Sequence, residues 1–463
     1  AIALLVLPLV FTSCSDYLDR DDDDNITEAD VFARYEKVNG LVSDVYAAAK
    51  KADRPLVFFE HFSNSAITDE CEGTNVEGNI TNNFNNGAWN PNSLPGSVGQ
   101  YWEALYEGIR KANLIIENVQ KYNTPDNPQQ DGDLRNRIGE MYFMRGYFHM
   151  LLLRMYGEAP YIDRVINAGD NMDFKKESVH SMVEKIVTDA QTAYGMVPNK
   201  YVKTSENFGR VDKGACLGLI SFVRWVAATP LWNGASQYGY NLRRVFENEY
   251  AYDATRWRKA KEAAKAVLDF EVGGTKRYSL YTKHDANDFK DPADGNLNDS
   301  RVYARLWDMF YDMDAFANEY VFFMTKSKDQ AWQGDIYPPS REGSSRQQPV
   351  QEQVDEYEYI VGDYGYPVYS AEARKGGYDD TNPYVKGTRD PRFYRDVIYH
   401  GAPYRNNKNE SKTINTASGS DKIGATNATT TGYYLRKFQQ ESWNKSGNFS
   451  INAPAIWRLP EFI

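Results

Sequence analysis

Few residues of this 463-residue chain are arranged for covalent chemistry. Its five histidines, His61, His149, His180, His284 and His400, fall into no H-E-x-x-H or other metal-ligand spacing. No G-x-S-x-G elbow, Walker loop or dinucleotide fingerprint occurs, so no cofactor is expected. His149 and His180 sit inside helical patterns and read as satisfied structural residues. The 64 acidic residues leave a two-carboxylate glycosidase open but single out no pair for it. Asp291 to Asp299 places oxygen ligands around a Gly turn but misses the EF-hand spacing, so a solvated turn is a better reading than calcium. Aromatic residues in polar loops are the stronger signal. Trp89 lies three residues before Asn92 in an Asn-rich stretch, and Trp332 and Tyr337 lie in the irregular segment 326–348 beside Gln333 and Asp335. A ring for the C–H face of a sugar, with an amide or carboxylate for its hydroxyls, is carbohydrate-binding chemistry. The alternative is that each ring pins its own loop to the scaffold.

Cys14 carries a different chemistry. Ala1 to Phe11 is an unbroken apolar run followed by Thr12-Ser13, then Cys14, then the acidic run Asp21 to Asp24. Such a run ending in small residues matches the h-region and cleavage site of a secretory signal, and is too short to span a bilayer. The arrangement resembles the bacterial lipoprotein box, whose cysteine becomes the acylated N-terminus; Phe11 stands where Leu is usual. The absence of Met and of a basic n-region reads as a truncated signal, 1–13, followed by an acidic tether, 14–27.

The net charge of −11 argues against nucleic acid, whose phosphates demand a basic face. Cys71 and Cys216 could pair in an oxidising compartment, but two buried free thiols are the favoured reading. The 34 tyrosines serve mainly to fill helix seams.

The elements that would position the loops are helical. Thr27 is a candidate N-cap for a helix through Val31, Tyr35, Val38, Leu41 and Val45. Residues 60–99 then lose periodicity and fill with Asn and Gly; a loop of that length is usually functional. Trp102, Leu105, Tyr106 and Ile109 have the spacing of a tetratricopeptide first helix, with Tyr106 where Gly is expected and Ile109 where Tyr is. Asp131 to Tyr156 forms a second helix stopped at Gly157. Further helices follow around Val179–Ala193, Ala215–Ala228 and Trp257–Leu268. The fold class is therefore mainly α: a tetratricopeptide-like scaffold of helical hairpins over 28–270, with a loop-rich insert over 271–455 holding few short strands.

Glu140-Met141-Tyr142-Phe143-Met144-Arg145-Gly146-Tyr147-Phe148, followed by Leu151 to Pro160, resembles the SusD/RagB family of surface glycan-binding lipoproteins of Bacteroidetes. Gly209 to Ala215, Asn318 to Phe322, Gln351 to Asp355, Arg389 to Phe393 and Gly432 to Phe438 fall in the family's order. Arg458-Leu459-Pro460-Glu461 resembles its R-L-A-E motif, which opens a further helical hairpin; the expectation is that 456–463 begins a C-terminal helical unit whose remainder is truncated. The resemblance implies a non-enzymatic binder of oligosaccharide or polysaccharide. It would be held at the outer membrane by lipid on Cys14 and seated over a SusC-type TonB-dependent transporter. It also points to Trp89 and Asn92 in the first loop, and Trp332 and Tyr337 in the insert, as glycan contacts. Two other readings stand beside it: an all-helical glycoside hydrolase, and a tetratricopeptide adaptor that binds no glycan.

Overall fold

The computed structural model describes residues 27–52, 63–74, 80–90, 92–123, 128–201, 207–234, 246–282, 309–310, 312–324, 334–385, 387–405, 411–438 and 455–463. Cys14, Trp332 and the Asp291–Asp299 turn lie outside these residues. Among the described residues the framework is eight helices: α1 (Glu28–Phe32), α2 (Tyr35–Ala52), α3 (Ile80–Asn85), α4 (Gly96–Tyr122), α5 (Pro128–Tyr156), α6 (Val179–Met196), α7 (Lys213–Ala228) and α8 (Ala254–Leu268).

Thr27 caps α1 as its sequence predicts, accepting from the Asp30 amide while Asp30 reaches back to the Thr27 amide. The expected single first helix is two, because the chain leaves helical bonding at Ala33–Arg34 before α2 begins. From α4 onward each helix packs on its neighbour in sequence, giving α4–α5, α5–α6, α6–α7 and α7–α8 seams. One core, including Leu105, Ile109, Met141, Tyr147, Phe148, Ile186 and Leu219, runs through them. The α4–α5 approach is close because Gly108 lies under the Phe148 ring; a Cβ there would come within 2.5 Å of it. Gly157 ends α5 at φ +71°, a left-handed turn that favours glycine, and its amide bonds the Leu153 carbonyl at 3.0 Å.

The segment Glu140 to Phe148 holds this scaffold together. Glu140 is wholly buried and is met by Arg137 at 2.6 Å, Arg210 at 2.9 Å and the Tyr201 hydroxyl at 2.7 Å. Such charges are tolerated inside only when paired. Arg145 reaches from α5 to Asp189 on α6 and also bonds Asn113 of α4 at 2.9 Å, so one guanidinium ties three helices. His149 and His180 are structural, as their helical positions suggest. The His149 Nδ1–H donates to the Arg145 carbonyl at 2.8 Å and Nε2 accepts the Ile162 amide at 3.0 Å; His180 Nε2 bonds the Trp232 carbonyl at 2.9 Å. Burial lowers both imidazoles, to about 3 and about 4. Asp212 caps α7 by accepting the Ala215 amide at 3.1 Å.

Beyond α8 the described residues form short helices and two-stranded antiparallel ladders. Strand Cys71–Gly73 pairs with Gln347–Pro349, Val397–Ile398 with Tyr434–Leu435, and Tyr320–Phe323 with Ala455–Arg458. Arg389 is buried and donates to the Val354 carbonyl at 2.6 Å and the Tyr357 carbonyl at 2.8 Å, so the Arg389-Asp390-Pro391 sequence fastens two segments of the insert. Residues 456–458 belong to a strand rather than opening a helix; the helical turn starts at Leu459 as a 3-10 turn with Pro460 in its first turn. Cys71 and Cys216 are buried free thiols. No helix among the described residues is long and apolar enough to cross a membrane.

Candidate functional site

The Asn-rich stretch is less irregular than its composition predicts. It folds into a 3-10 turn (Asn64–Ile67), the strand Cys71–Gly73 and α3. Gly87, at φ +72°, ends α3 by bonding the Phe84 carbonyl at 2.8 Å, and the Ala88 amide bonds the Asn83 carbonyl at 2.8 Å. The chain thereby doubles back and sets the Trp89 ring edge-on to Phe84, with centroids 4.9 Å apart. Trp89 also packs on the small cluster of Ala66, Cys71 and Val98. Trp89 is therefore half-buried, Phe84 is exposed, and Asn83, Asn86, Asn90 and Asn92, close to them in sequence, are exposed. The Asn92 amide bonds the Asn90 side-chain oxygen at 3.0 Å, an Asx turn that holds the Asn92 side chain at the surface. The patch offers an aromatic face beside amides that both donate and accept, as a sugar requires.

Tyr337 stands elsewhere. It is wholly buried against Ile398, Ala402, Ile414 and Tyr434, with the Arg341 guanidinium 5.5 Å from its ring. Its ring pins the insert and presents no face to a ligand, which corrects its assignment from sequence as a contact residue. Asp335, beside it, is also buried and pairs with Arg346 at 3.1 Å.

A cavity of about 250 Å³ adjoins the strand Cys71–Gly73. Ser65, Glu70 and Cys71 line one side; Gln347, Gln353, Tyr357, Asp396, Val397, Leu435, Lys437 and Phe438 of the insert line the other. Cys71 thus belongs both to the cluster beneath Trp89 and to the cavity wall, and burial pushes its thiol up to about 12, which keeps it protonated. Lys437 is lowered by its burial. A larger groove, about 570 Å³, lies between α7, α8 and the turn at Leu459–Phe462. It is walled by Phe222, Trp225, Trp257, Trp457 and Phe462, with Ser221, Lys261 and Glu461 as its polar groups. That lining is too apolar to satisfy a sugar's hydroxyls. Among the described residues no group of three His, Cys, Asp or Glu could hold a metal ion.

Phe84 was open to sequence reasoning, since an aromatic between asparagines follows the same logic as Trp89. The cavity was not, because its walls come from segments far apart in the chain, near Cys71 and between Gln347 and Phe438.

Comparison with known proteins decides what the scaffold is. Residues 16–223 match the SusD-like family described as starch-binding and associating with the outer membrane, and residues 314–462 match the SusD family. The chain belongs to the SusD/RagB family. A SusD-like protein P2 of Formosa agariphila is 24% identical over 202 residues, which are 43% of this chain and 38% of that relative. Two solved structures from Bacteroides fragilis share the fold. A SusD-like protein is 19% identical with a TM-score of 0.68 and covers 95% of this chain and 75% of its own. A SusD-like carbohydrate-binding protein is 14% identical with a TM-score of 0.67, covering 93% and 73%. The tetratricopeptide-like helical fold expected from the sequence is thus shared with solved SusD-like structures.

Proposed function

We propose that this chain is a cell-surface glycan-binding protein that captures oligosaccharide or polysaccharide and delivers it to a SusC-type TonB-dependent outer-membrane transporter. The observation that carries the reading is the Phe84–Trp89 pair, an aromatic patch in a segment of exposed asparagines, on a chain of the SusD family. Lipid on Cys14 would tether the body through the acidic segment that follows it; since one acyl chain anchors only marginally, more than one is required. The protein binds without turning over its ligand. A member of the fold named as carbohydrate-binding supports the ligand class. Trp332, outside the described residues, belongs to the same proposal by its residue type and place in the insert.

The test is incubation with starch, laminarin, xylan and pectin, followed by native electrophoresis and an assay for reducing ends. Retarded migration without released sugar is the expected result. Released sugar would move the reading to a glycoside hydrolase. No retention on any glycan, with co-isolation of an outer-membrane partner, would move it to an adaptor.

A further inference from the structure

The segment that carries Phe84 and Trp89 is one-sided in charge. The chain holds 53 Lys and Arg, a density that would ordinarily place several in a stretch this long, yet none falls between Pro55 and Ile109. Seven acidic residues do. Three of them are held beside the patch. Ile67 and Cys71 both belong to the cluster on which Trp89 packs, and the bridge between Thr68 and Cys71 closes the turn between them. Asp69 and Glu70 stand exposed at the tip of that turn, and Glu72 follows Cys71 directly. Because one Cα step is about 3.8 Å, none of the three Cα atoms lies more than about 8 Å from that of Cys71. That distance is comparable with the Debye length at physiological salt, so their field is only partly screened at the ring.

The insert brings two cations toward the same strand. The Arg346 carbonyl accepts the Thr74 amide at 3.0 Å, but its guanidinium pairs with Asp335 at 3.1 Å. Lys437 is half-buried in the cavity that Glu70 also lines, one positive charge against three negative. Stacking on an aromatic face and hydrogen bonding to asparagine amides ask for no charge on the sugar. A uronate or a sulfate asks for Arg or Lys, and here it would meet carboxylates instead. Like charges brought together in this way reject a wrong partner without adding a contact for the right one. We propose that the Phe84–Trp89 platform takes uncharged glycans and excludes uronate- and sulfate-bearing ones, with Asp69, Glu70 and Glu72 setting that selectivity. This selectivity rests on the glycan-binding reading and names the substrate class of the same site.

The experiment finds which of starch and laminarin retards wild type in native gels, then titrates that glycan and its carboxymethyl derivative by calorimetry. The two ligands share a backbone and differ in charge. Wild type should bind the derivative at least roughly tenfold more weakly. The triple variant Asp69→Asn/Glu70→Gln/Glu72→Gln should bind the neutral glycan as wild type does and close most of that gap. Added salt should narrow the gap in wild type. A gap left unchanged by the folded variant would overturn the assignment. Tighter binding of the derivative, or retention on pectin alone, would overturn it while the glycan-binding reading stands. Wild type retarded by neither starch, laminarin nor pectin would sink both. Should the triple variant unfold in a thermal melt, the salt dependence in wild type decides, and a gap that salt does not narrow contradicts charge selection.

Discussion

Arg145 and Asp189 meet side-on across the α5–α6 seam, with Nε 2.8 Å from one carboxylate oxygen and Nη2 2.5 Å from the other. Both are buried, and the Tyr161 hydroxyl adds a third bond to Asp189 at 2.6 Å. Asp189→Asn leaves a buried guanidinium with no counter-charge, and Arg145→Met leaves a buried carboxylate with none. Each should lower unfolding free energy in urea by about 3–5 kcal/mol, and the double variant should lose less than the sum. Additive losses would contradict a direct pair.

Glu184 offers the contrast. It is bound by Arg224 and by Lys259 at 3.2 Å, yet its carboxylate is half exposed. Water and salt screen such a cluster, so Glu184→Gln should cost less than about 1 kcal/mol in the same urea titration, and less again in high salt. A loss as large as that of Asp189→Asn would show that exposure is a poor guide here.

His149 sets an acid limit. Burial holds its imidazole down at about 3, against an ordinary 6.5. The unfolded chain therefore takes up this proton first as pH falls. The contribution of neutral His149 is complete above about pH 6.5 and declines from there toward pH 3, by up to about 1.4 kcal/mol per pH unit. Urea titrations between pH 7.5 and 4 should show this slope, and His149→Gln should flatten it. Equal slopes in the two proteins would rule out this histidine as the source.

Cys71 and Cys216 should both resist iodoacetamide at pH 8 in the native protein and react once it is denatured, because burial raises both thiols. Peptide mass spectrometry reads the two sites separately. A Cys71–Cys216 disulfide peptide would overturn the assignment of free thiols.

The helices α2 and α4 to α8 were legible because each is long enough to repeat its apolar face, helped by terminal signals such as Thr27 before α1 or Gly157 after α5. The break at Ala33–Arg34 was not, since neither residue interrupts a helix by its own preference. The insert reads as holding few short strands, but their pairing is not legible: Cys71–Gly73, outside the insert, pairs with Gln347–Pro349 far along the chain. The same limit decides the site. Trp89 keeps an exposed part because its support, Ala66 and Val98, is small and local. Tyr337 lies in an equally polar sequence, yet the distant Ile398, Ile414 and Tyr434 close over it. Residue type alone could not separate the two.

The most direct measurement is calorimetric titration of wild type and Trp89→Ala with whichever polysaccharide retards wild type in native gels. If the patch at Phe84 and Trp89 is the glycan platform, the variant should bind at least roughly tenfold more weakly, as loss of an aromatic stacking face requires, while keeping its wild-type melting temperature within a few degrees. Unchanged affinity in a folded Trp89→Ala variant would contradict it.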